Sequence, residues 1–424
     1  MFAVFLTKLK LAFTDPALRR RLIFVATALF LFRLGAGIPI PGVDVAALQR
    51  FFADNQFFNL LNLFSGGGLS NLSIVMLGVG PYITATIIMQ LLTMMFPSLK
   101  ELYHESGEAG RRQFAQYARL LTVPLAILQG FGLIALLERQ GIFGEVVFFD
   151  RLVSVIVVMA GSLLLMWLGE LINEYGIGNG VSLIIFAGIV AGIPSAISQV
   201  IINFDLTSIP LYLGYLAAAV VIVAGVVVMT EAERPIPITY AKQVRGNRVY
   251  GGLSTYLPIR LNQAGVMPII FALSLLLFPQ MIVNFFAQMD NATIQTVANF
   301  ILSLLNNTWF YAAVYFILVF LFTYFYSAIT FDPSAIAENL QKSGAFIPGL
   351  RPGRPTAEHL AKTVTRLTLV GALFLGVVAM LPLVMQALTG LQALAIGGTA
   401  LLIVVSVALE FMKQVDGQIS MREY

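Results

Sequence analysis

Residues Ser73–Leu92 read SIVMLGVGPYITATIIMQLL, twenty positions without a charged side chain. An uninterrupted apolar stretch of about 20 residues can cross the hydrocarbon core of a bilayer, which is about 30 Å thick. Across the chain, hydrophobic residues make up 58% and charged residues only 11% of the 424 positions. Because a soluble domain carries roughly 25% charged residues, this chain has too little polar surface to face water on all sides. The sequence therefore predicts a helical membrane protein.

Ten apolar segments of similar length recur along the chain, and each is predicted to be a membrane-spanning helix. The basic and apolar start resembles a signal peptide, but no small-residue cleavage site stands out, so the first segment is interpreted as a retained span. The predicted fold class is an all-α polytopic membrane protein. The ten spans are placed at 22–38, 74–95, 116–137, 152–172, 181–201, 211–230, 263–286, 309–330, 365–384 and 397–413.

Lysine and arginine are distributed unevenly between the two sides that ten spans define. Of the 25 basic residues, all but four (Arg33, Arg50, Arg139 and Arg151) fall on the side of the N-terminus. Because cytoplasmic loops carry the excess of basic residues, this distribution predicts that both ends of the chain lie in the cytoplasm.

The residue types that carry most membrane chemistry are missing from the predicted spans. No Asp, Glu, Lys or His falls in the middle of a span, whereas ion-coupled pumps generally place ionisable groups there. The chain has no cysteine, and its histidines, His104 and His359, lie in charged loops, so no metal site is expected. There is no GxxxxGK[ST] nucleotide motif. The sequence predicts neither an enzyme nor a cofactor, and a passive pore is compatible with it.

One segment breaks the pattern of spans and loops. Asn59–Ser73 reads NLLNLFSGGGLSNLS, which is too short to cross the membrane and leads directly into an apolar helix. Non-helical backbone at membrane depth is tolerated only where protein or a water-filled cavity surrounds it. A re-entrant segment beside a pore is one interpretation, and an interfacial helix on the outer leaflet is the other.

Two cytoplasmic segments, 231–262 and 331–364, are long enough to be functional. In the first, the run Ile-Pro-Ile-Thr-Tyr, a Gly-containing turn and Arg248-Val249-Tyr250 favour a short extended hairpin. Each segment holds several basic residues in a chain that has few charges. The positive-inside bias alone accounts for them, or they form a docking surface for an acidic or RNA-bearing partner.

Several long motifs, in order along the chain, resemble those of the SecY family, the central subunits of protein-conducting channels. Ser73–Leu92 is similar to the second-helix signature of that family. The segment WLGELINEYGIGNGVS at Trp167–Ser182 resembles its second signature, between helices four and five. KSGAFIPGLRPG at Lys342–Gly353 resembles the loop between helices eight and nine, and TRLTLVGA at Thr365–Ala372 resembles the ninth helix. The likeness extends from Arg19 to about Met412, nearly the entire chain.

The resemblance implies two inverted, pseudo-symmetric halves, 1–201 with helices one to five and 202–424 with helices six to ten. Between them the family has an hourglass pore that a ring of branched aliphatic side chains closes. At the matching positions, the ring departs from an all-isoleucine pattern only through two valines. The implied pore ring comprises Val79, Ile83, Val181, Ile185, Ile270 and Ile403.

The resemblance also assigns the re-entrant segment as a plug on the outer side of the ring. The implied plug residues are Phe64, Ser65, Gly66, Gly67, Gly68, Leu69, Ser70, Asn71, Leu72 and Ser73. A lateral gate would lie between helices two and three on one side and seven and eight on the other. Thr84, Gln90 and Asn262 match polar gate positions, although polar residues that only pack helices together are a common alternative.

The expected partners are SecE and SecG as further subunits, the SecA ATPase or the translating ribosome as the energy source, and signal sequences and membrane lipid at the gate. The candidates for SecA or ribosome contact are Lys242, Arg245, Arg248, Arg351 and Arg354, whereas Pro235 and Asn247 replace arginines of relatives. The expected location is the bacterial inner membrane. Two rival functions are a secondary transporter for a small solute, which predicts a polar central pocket, and a membrane scaffold without transport.

Overall fold

The computed structural model describes most of the chain, and every structural statement below concerns the residues it describes. These are residues 14–40, 62, 65–104, 107–139, 148–202, 209–240, 243–245, 248–250, 254–286, 292–389 and 392–420.

Most described residues are helical. The helices, in chain order, are α1 (Pro16–Ala36), α2 (Gly80–Met95), α3 (Pro97–His104), α4 (Gly107–Arg139), α5 (Phe148–Tyr175), α6 (Gly180–Ile202), α7 (Ile209–Glu231), α8 (Met267–Phe286), α9 (Ala292–Asn306), α10 (Thr308–Thr330), α11 (Pro333–Lys342), α12 (Arg354–Thr389) and α13 (Gln392–Ser420).

Each of the ten predicted spans overlaps one of these helices, while α3, α9 and α11 lie outside the spans. Four helical stretches of the described chain are long and apolar enough to cross a membrane by length and composition alone. They lie in α4, α5, α12 and α10, the last continuing into α11. A fifth arises if α2 and α3, which meet at a bend of 116°, are counted as one span.

The second span begins later than the sequence suggested. A helix from residue 74 was predicted, and that boundary is wrong, because residues 74–79 form turns and α2 begins at Gly80. Gly78 has a φ of 59°, which is a left-handed conformation. A right-handed helix cannot continue through this residue, so α2 does not extend N-terminally past it. Pro81 then occupies the first turn of α2, where its missing N–H costs no hydrogen bond.

A small β structure joins the two long segments 231–262 and 331–364. Strand β1 (Glu233–Tyr240) pairs antiparallel with β4 (Ser254–Arg260), and the short strands β2 (Gln243–Arg245) and β3 (Arg248–Tyr250) pair with each other. Extended antiparallel pairing is present as predicted, but the Ile-Pro-Ile-Thr-Tyr run pairs with β4 and Arg248–Tyr250 pairs with β2, so these two runs do not pair with each other. Strand β5 (Ala345–Phe346), from the second segment, pairs with the other edge of β1. Segments 231–262 and 331–364 were predicted as two separate loops, but they form a single unit.

A satellite core holds this unit together. In β1, Ile236 and Ile238 alternate with exposed neighbours, as expected for a strand with one buried face. Ile236 packs with Ile259 of β4 and with Leu360 near the start of α12. We call this unit, formed by β1, β4, β5, α11 and the start of α12, the platform.

The membrane helices pack around one large apolar core, in which two groups of neighbours can be followed. In the first group α2 packs on α4, α4 on α5, and α5 on α6 and α1. In the second, α8 packs on α10, α10 on α12, α12 on α13, and α13 on α7. The groups meet in two places, where α6 contacts α13 and where both α2 and α4 contact α8.

Candidate functional site

The six aliphatic side chains of the implied ring come from the helices at which the two groups meet. Val79 caps the N-terminus of α2 and Ile83 lies in its first turn, while the others lie on α6, α8 and α13. Five of them are at most 4% exposed, and Val181 is half-buried. All six belong to, or pack against, the same apolar core. The four helices that carry the implied ring residues thus all take part in the contacts between the two groups.

Helix α5 holds the backbone that carries Val79. The Ser162 hydroxyl donates a hydrogen bond of 3.0 Å to the Gly78 carbonyl, and this bond is buried. A Cβ atom on Gly161 would overlap the carbonyl of Ile74, so the turn segment lies directly against the α5 backbone. The position of Val79 therefore depends on two small residues of α5.

The same helix also positions Val181. A Cβ atom on Gly180, at the start of α6, would overlap the carbonyl of Gly169. The Asn173 side-chain oxygen accepts a hydrogen bond of 2.7 Å from the Gly180 N–H, and the Asn179 oxygen accepts one of 3.2 Å from the Ser182 N–H. These asparagines cap α6 and fix its start against α5.

Two ion pairs tie α5 to α4 near opposite ends. Arg119 Nε lies 2.6 Å from Glu170 Oε1, and Arg151 Nη2 lies 2.8 Å from Glu138 Oε2. Neither these ion pairs nor the capping residues Asn173 and Asn179 were predicted from the sequence. An asparagine directly before the glycine that opens a helix is a recognisable cap signal, whereas the ion pairs join residues that are distant in sequence.

The described part of the implied plug, Ser65–Ser73, forms consecutive turns, and Phe64 lies outside the described residues. Leu69 and Leu72 are completely buried in the same core as the ring residues. The Ser65 hydroxyl accepts a hydrogen bond of 2.9 Å from the Leu69 N–H. Residues 65–73 are therefore a compact buried insert, which agrees with a re-entrant segment and not with a surface helix.

A short antiparallel contact anchors the C-terminal end of this insert. The Ile40 N–H donates to the Leu72 carbonyl at 2.8 Å, and the Ile74 N–H donates to the Ile38 carbonyl at 3.0 Å. These bonds connect the insert to the chain that follows α1.

The implied gate residues lie on or beside the helices of the α2–α8 contact, but no described hydrogen bond joins them. The Thr84 hydroxyl donates to the Gly80 carbonyl of its own helix at 3.0 Å. Asn262, just before α8, donates from Nδ2 to the Gly265 carbonyl at 3.1 Å. Three buried amide oxygens on α2 or just before α8 have no hydrogen-bond partner among the described residues: Gln90 Oε1, Asn262 Oδ1 and Gln263 Oε1.

The candidate docking arginines lie in two places. Arg351 and Arg354 are exposed on the platform, and Arg354 Nε pairs with Glu358 Oε1 at 3.2 Å. Arg245 and Arg248 face each other in the backbone register of β2 and β3. Lys242 and Asn247 lie outside the described residues, and Pro235 is part of β1 opposite Pro258.

Comparison with known proteins identifies the family. The SecY family profile matches residues 73–412. The protein translocase subunit SecY of Corynebacterium glutamicum is 43% identical, over 97% of this chain and 98% of that protein.

Solved structures show the same fold. A SecY channel whose plug domain is reported to stabilise the closed state and maintain a membrane seal gives a TM-score of 0.67 at 19% identity, over 94% of this chain and 92% of that one. Sec61 in the canine ribosome-channel complex from the endoplasmic reticulum gives 0.62 at 17% identity, with the same coverage.

Fold, site and relatives together define the class: a multi-pass, mostly helical membrane channel that conducts protein chains and is not an enzyme. The chain belongs to the SecY family of protein translocase subunits. A secondary transporter, the rival class, finds no support among these relatives.

Proposed function

We propose that this chain is the pore subunit of a protein translocase, which passes unfolded secretory chains across the membrane and releases transmembrane segments sideways into lipid. The observation that carries the proposal is that six branched aliphatic residues, five of them buried in one apolar core, lie on four of the helices through which the two helix groups make contact.

An aliphatic constriction suits a cargo of arbitrary sequence. Branched side chains close around a passing chain through dispersion contacts and make no demand on its polar groups. A narrow apolar ring also expels water, and it offers ions no polar ligand in place of their hydration shell. Val79 and Val181 each lack one methylene relative to isoleucine, and Val181 packs against α5, since a Cβ atom on Gly169 would lie 3.3 Å from Val181 Cγ2.

The buried insert 65–73 is proposed as the plug that covers the ring on its outer side. Its two leucines belong to the same core as the ring residues, so in this position it fills the pore from one side. The comparison with the SecY channel whose plug domain maintains a seal supports the assignment.

The contact of α2 and α4 with α8 is proposed as the lateral gate. A buried polar atom without a partner costs roughly 1–3 kcal/mol, and three amide oxygens are in this state around the contact. Such groups lower the cost of separating the helices, because opening lets them bond to water or to a signal sequence. Apolar segments of a nascent chain then leave through the gap, since their burial in hydrocarbon is favourable.

The proposed topology is ten spans with both ends in the cytoplasm, in two inverted halves at 1–201 and 202–424. The overlap of every predicted span with a helix and the one-sided distribution of basic residues support it. Bacterial relatives such as that of Corynebacterium glutamicum support placement in the bacterial cell membrane.

The platform is proposed as the docking surface for the partner that supplies energy, either SecA or the ribosome. The exposed Arg351 and Arg354 lie on the platform, and Arg245 and Arg248 lie on the separate β2–β3 hairpin, which falls between β1 and β4 in the chain. The Sec61 neighbour was solved in a ribosome-channel complex, which supports the ribosome as one candidate partner of this chain. SecE and SecG are the proposed further subunits.

Site-specific crosslinking tests the proposal, and the absence of native cysteine makes the chain suited to it. With SecE and either SecA or ribosomes present, Ile83→Cys and Ile185→Cys are expected to crosslink to a secretory chain stalled in transit. Matched controls on the same helices are Leu91→Cys and Ile193→Cys, which are 37% and 43% exposed on the outer surface of the bundle and are expected not to crosslink.

The outcomes separate the rival functions. Equal crosslinking at ring and control positions would contradict a central aliphatic pore. Solute uptake into vesicles without polypeptide crosslinks would indicate a transporter, and the absence of both would indicate a scaffold.

A further inference from the structure

Gly66, in the buried insert, lies in a slot with walls from two helices. A Cβ atom at this position would overlap the ring of Phe32 on α1 and would come within 3.1 Å of the Gly188 Cα on α6. A Cβ atom on Gly188 would in turn overlap the Gly66 Cα. Gly66 also has a φ of 68°, which favours glycine. The insert is therefore seated backbone against backbone on α6, three residues beyond the ring residue Ile185.

One polar contact completes this slot. Arg33 Nη1, on α1, donates a hydrogen bond of 3.1 Å to the Gly66 carbonyl. The guanidinium also lies beside the next residue, since a Cβ atom on Gly67 would be 3.4 Å from Arg33 Nη1. A hydrogen bond from a charged donor is stronger than one between neutral groups. Arg33 is thus the charged side chain that holds the insert at the point where it touches α6.

The acceptor of the Arg33 hydrogen bond is the backbone carbonyl of Gly66. The bond fixes the position of the insert without depending on any side chain of the insert. When the insert moves, the bond breaks and the guanidinium stays behind on α1, where Arg33 is exposed and can be solvated. The neighbouring Phe32 is 1% exposed and packs in the core, so it keeps this part of α1 in place.

We propose that Arg33 is a positioning residue for the closed channel, acting as the latch that seats the insert through Gly66. The proposal rests on the proposed function, in which the insert 65–73 is the plug. It also explains why one of the four basic residues outside the cytoplasmic side lies within a predicted apolar span.

The test is the ion leak of the idle, complete translocase in liposomes, measured in two backgrounds. In the full-length background, Arg33→Gln is expected to raise the leak several-fold, and Arg33→Lys, which keeps a charged donor, to raise it less. Deleting residues 64–72 is expected to raise the leak by itself. In that deletion background, Arg33→Gln is expected to add nothing, because its bonding partner is gone.

Two glycines of α6 provide a matched pair of variants that tests the contact between the insert and this helix. Gly188→Ala is expected to displace the insert and raise the leak, whereas Gly192→Ala is the control, because a Cβ atom there has nothing within 4 Å. The latch is refuted if Arg33→Gln leaves the leak unchanged, or if it raises the leak by the same factor with and without the insert. A deletion that causes no leak would instead contradict the plug itself.

Discussion

At the residue scale, a serine hydroxyl and several glycines position the residues of the proposed aliphatic ring. Val79 could be placed by its motif, but the bond that fixes it comes from Ser162, 84 residues away. Gly161 and Gly169 act through the space they leave, since each allows another backbone to touch α5. A larger side chain at Gly161 or Gly169 would therefore displace Val79 or Val181, although neither valine is itself substituted.

Substituting Ser162 isolates one of these contacts. Ser162→Ala leaves the buried Gly78 carbonyl without its donor, which costs roughly 1–3 kcal/mol. We expect a lower thermal unfolding midpoint of the purified complex and a raised ion leak, because the segment carrying Val79 loosens. Ser198→Ala is the control, since its hydroxyl is exposed and bonds only within α6. Equal midpoints and leaks for the two variants would contradict this role of Ser162.

At the element scale, the helices that overlap the predicted spans were predictable, whereas the pairing of the segments between them was not. Each span is apolar because its solvent is hydrocarbon, and that requirement is visible in any window of about 20 residues. The α2 boundary was missed because glycine permits a positive φ without requiring it, so the conformation of Gly78 could not be predicted from the residue type. The joining of β5 to β1 was missed too, since the pairs Thr239–Phe346 and Tyr240–Ala345 connect strands more than a hundred residues apart.

Two leucines of α12 test whether the platform is a separate functional element. Leu360→Ala removes a fully buried side chain from the satellite core, at a cost of about 2–5 kcal/mol. We expect SecA- or ribosome-driven transport to fall while the ion seal of the idle channel stays intact. Leu369→Ala, on the same helix but 44% exposed, is expected to keep both activities. Loss of the seal in Leu360→Ala would show that the platform also shapes the pore.

At the scale of the whole molecule, the charge distribution predicts which loops face the cytoplasm. The assignment needs no contact information, because the positive-inside bias is a property of the sequence and of its insertion. The proposed pore is different, because its six aliphatic residues lie on four helices that come together only when the helix groups pack. Without the motif resemblance, the Val79–Ile83 spacing alone would not have distinguished a pore from ordinary lipid contact.

Cysteine labelling in intact cells tests the topology directly. Asn299→Cys on α9 is expected to react with a membrane-impermeant maleimide added outside, and Ser343→Cys, beside β5, only after the membrane is permeabilised. Both positions are exposed, and the native chain contributes no background thiol. The reverse labelling would overturn the orientation, and labelling of both from outside would contradict the alternation of spans.

Helix α12 runs without a break for 36 residues, about 54 Å at 1.5 Å per residue, which exceeds the hydrocarbon thickness by about 24 Å. Its first turns are built into the platform through Leu360 and Val364, and farther along it lies against α10 and α13. A partner bound to the platform therefore contacts one end of a helix whose other end packs inside the bundle. Tilting α12 by a few degrees would shift the helices that pack against it at membrane depth.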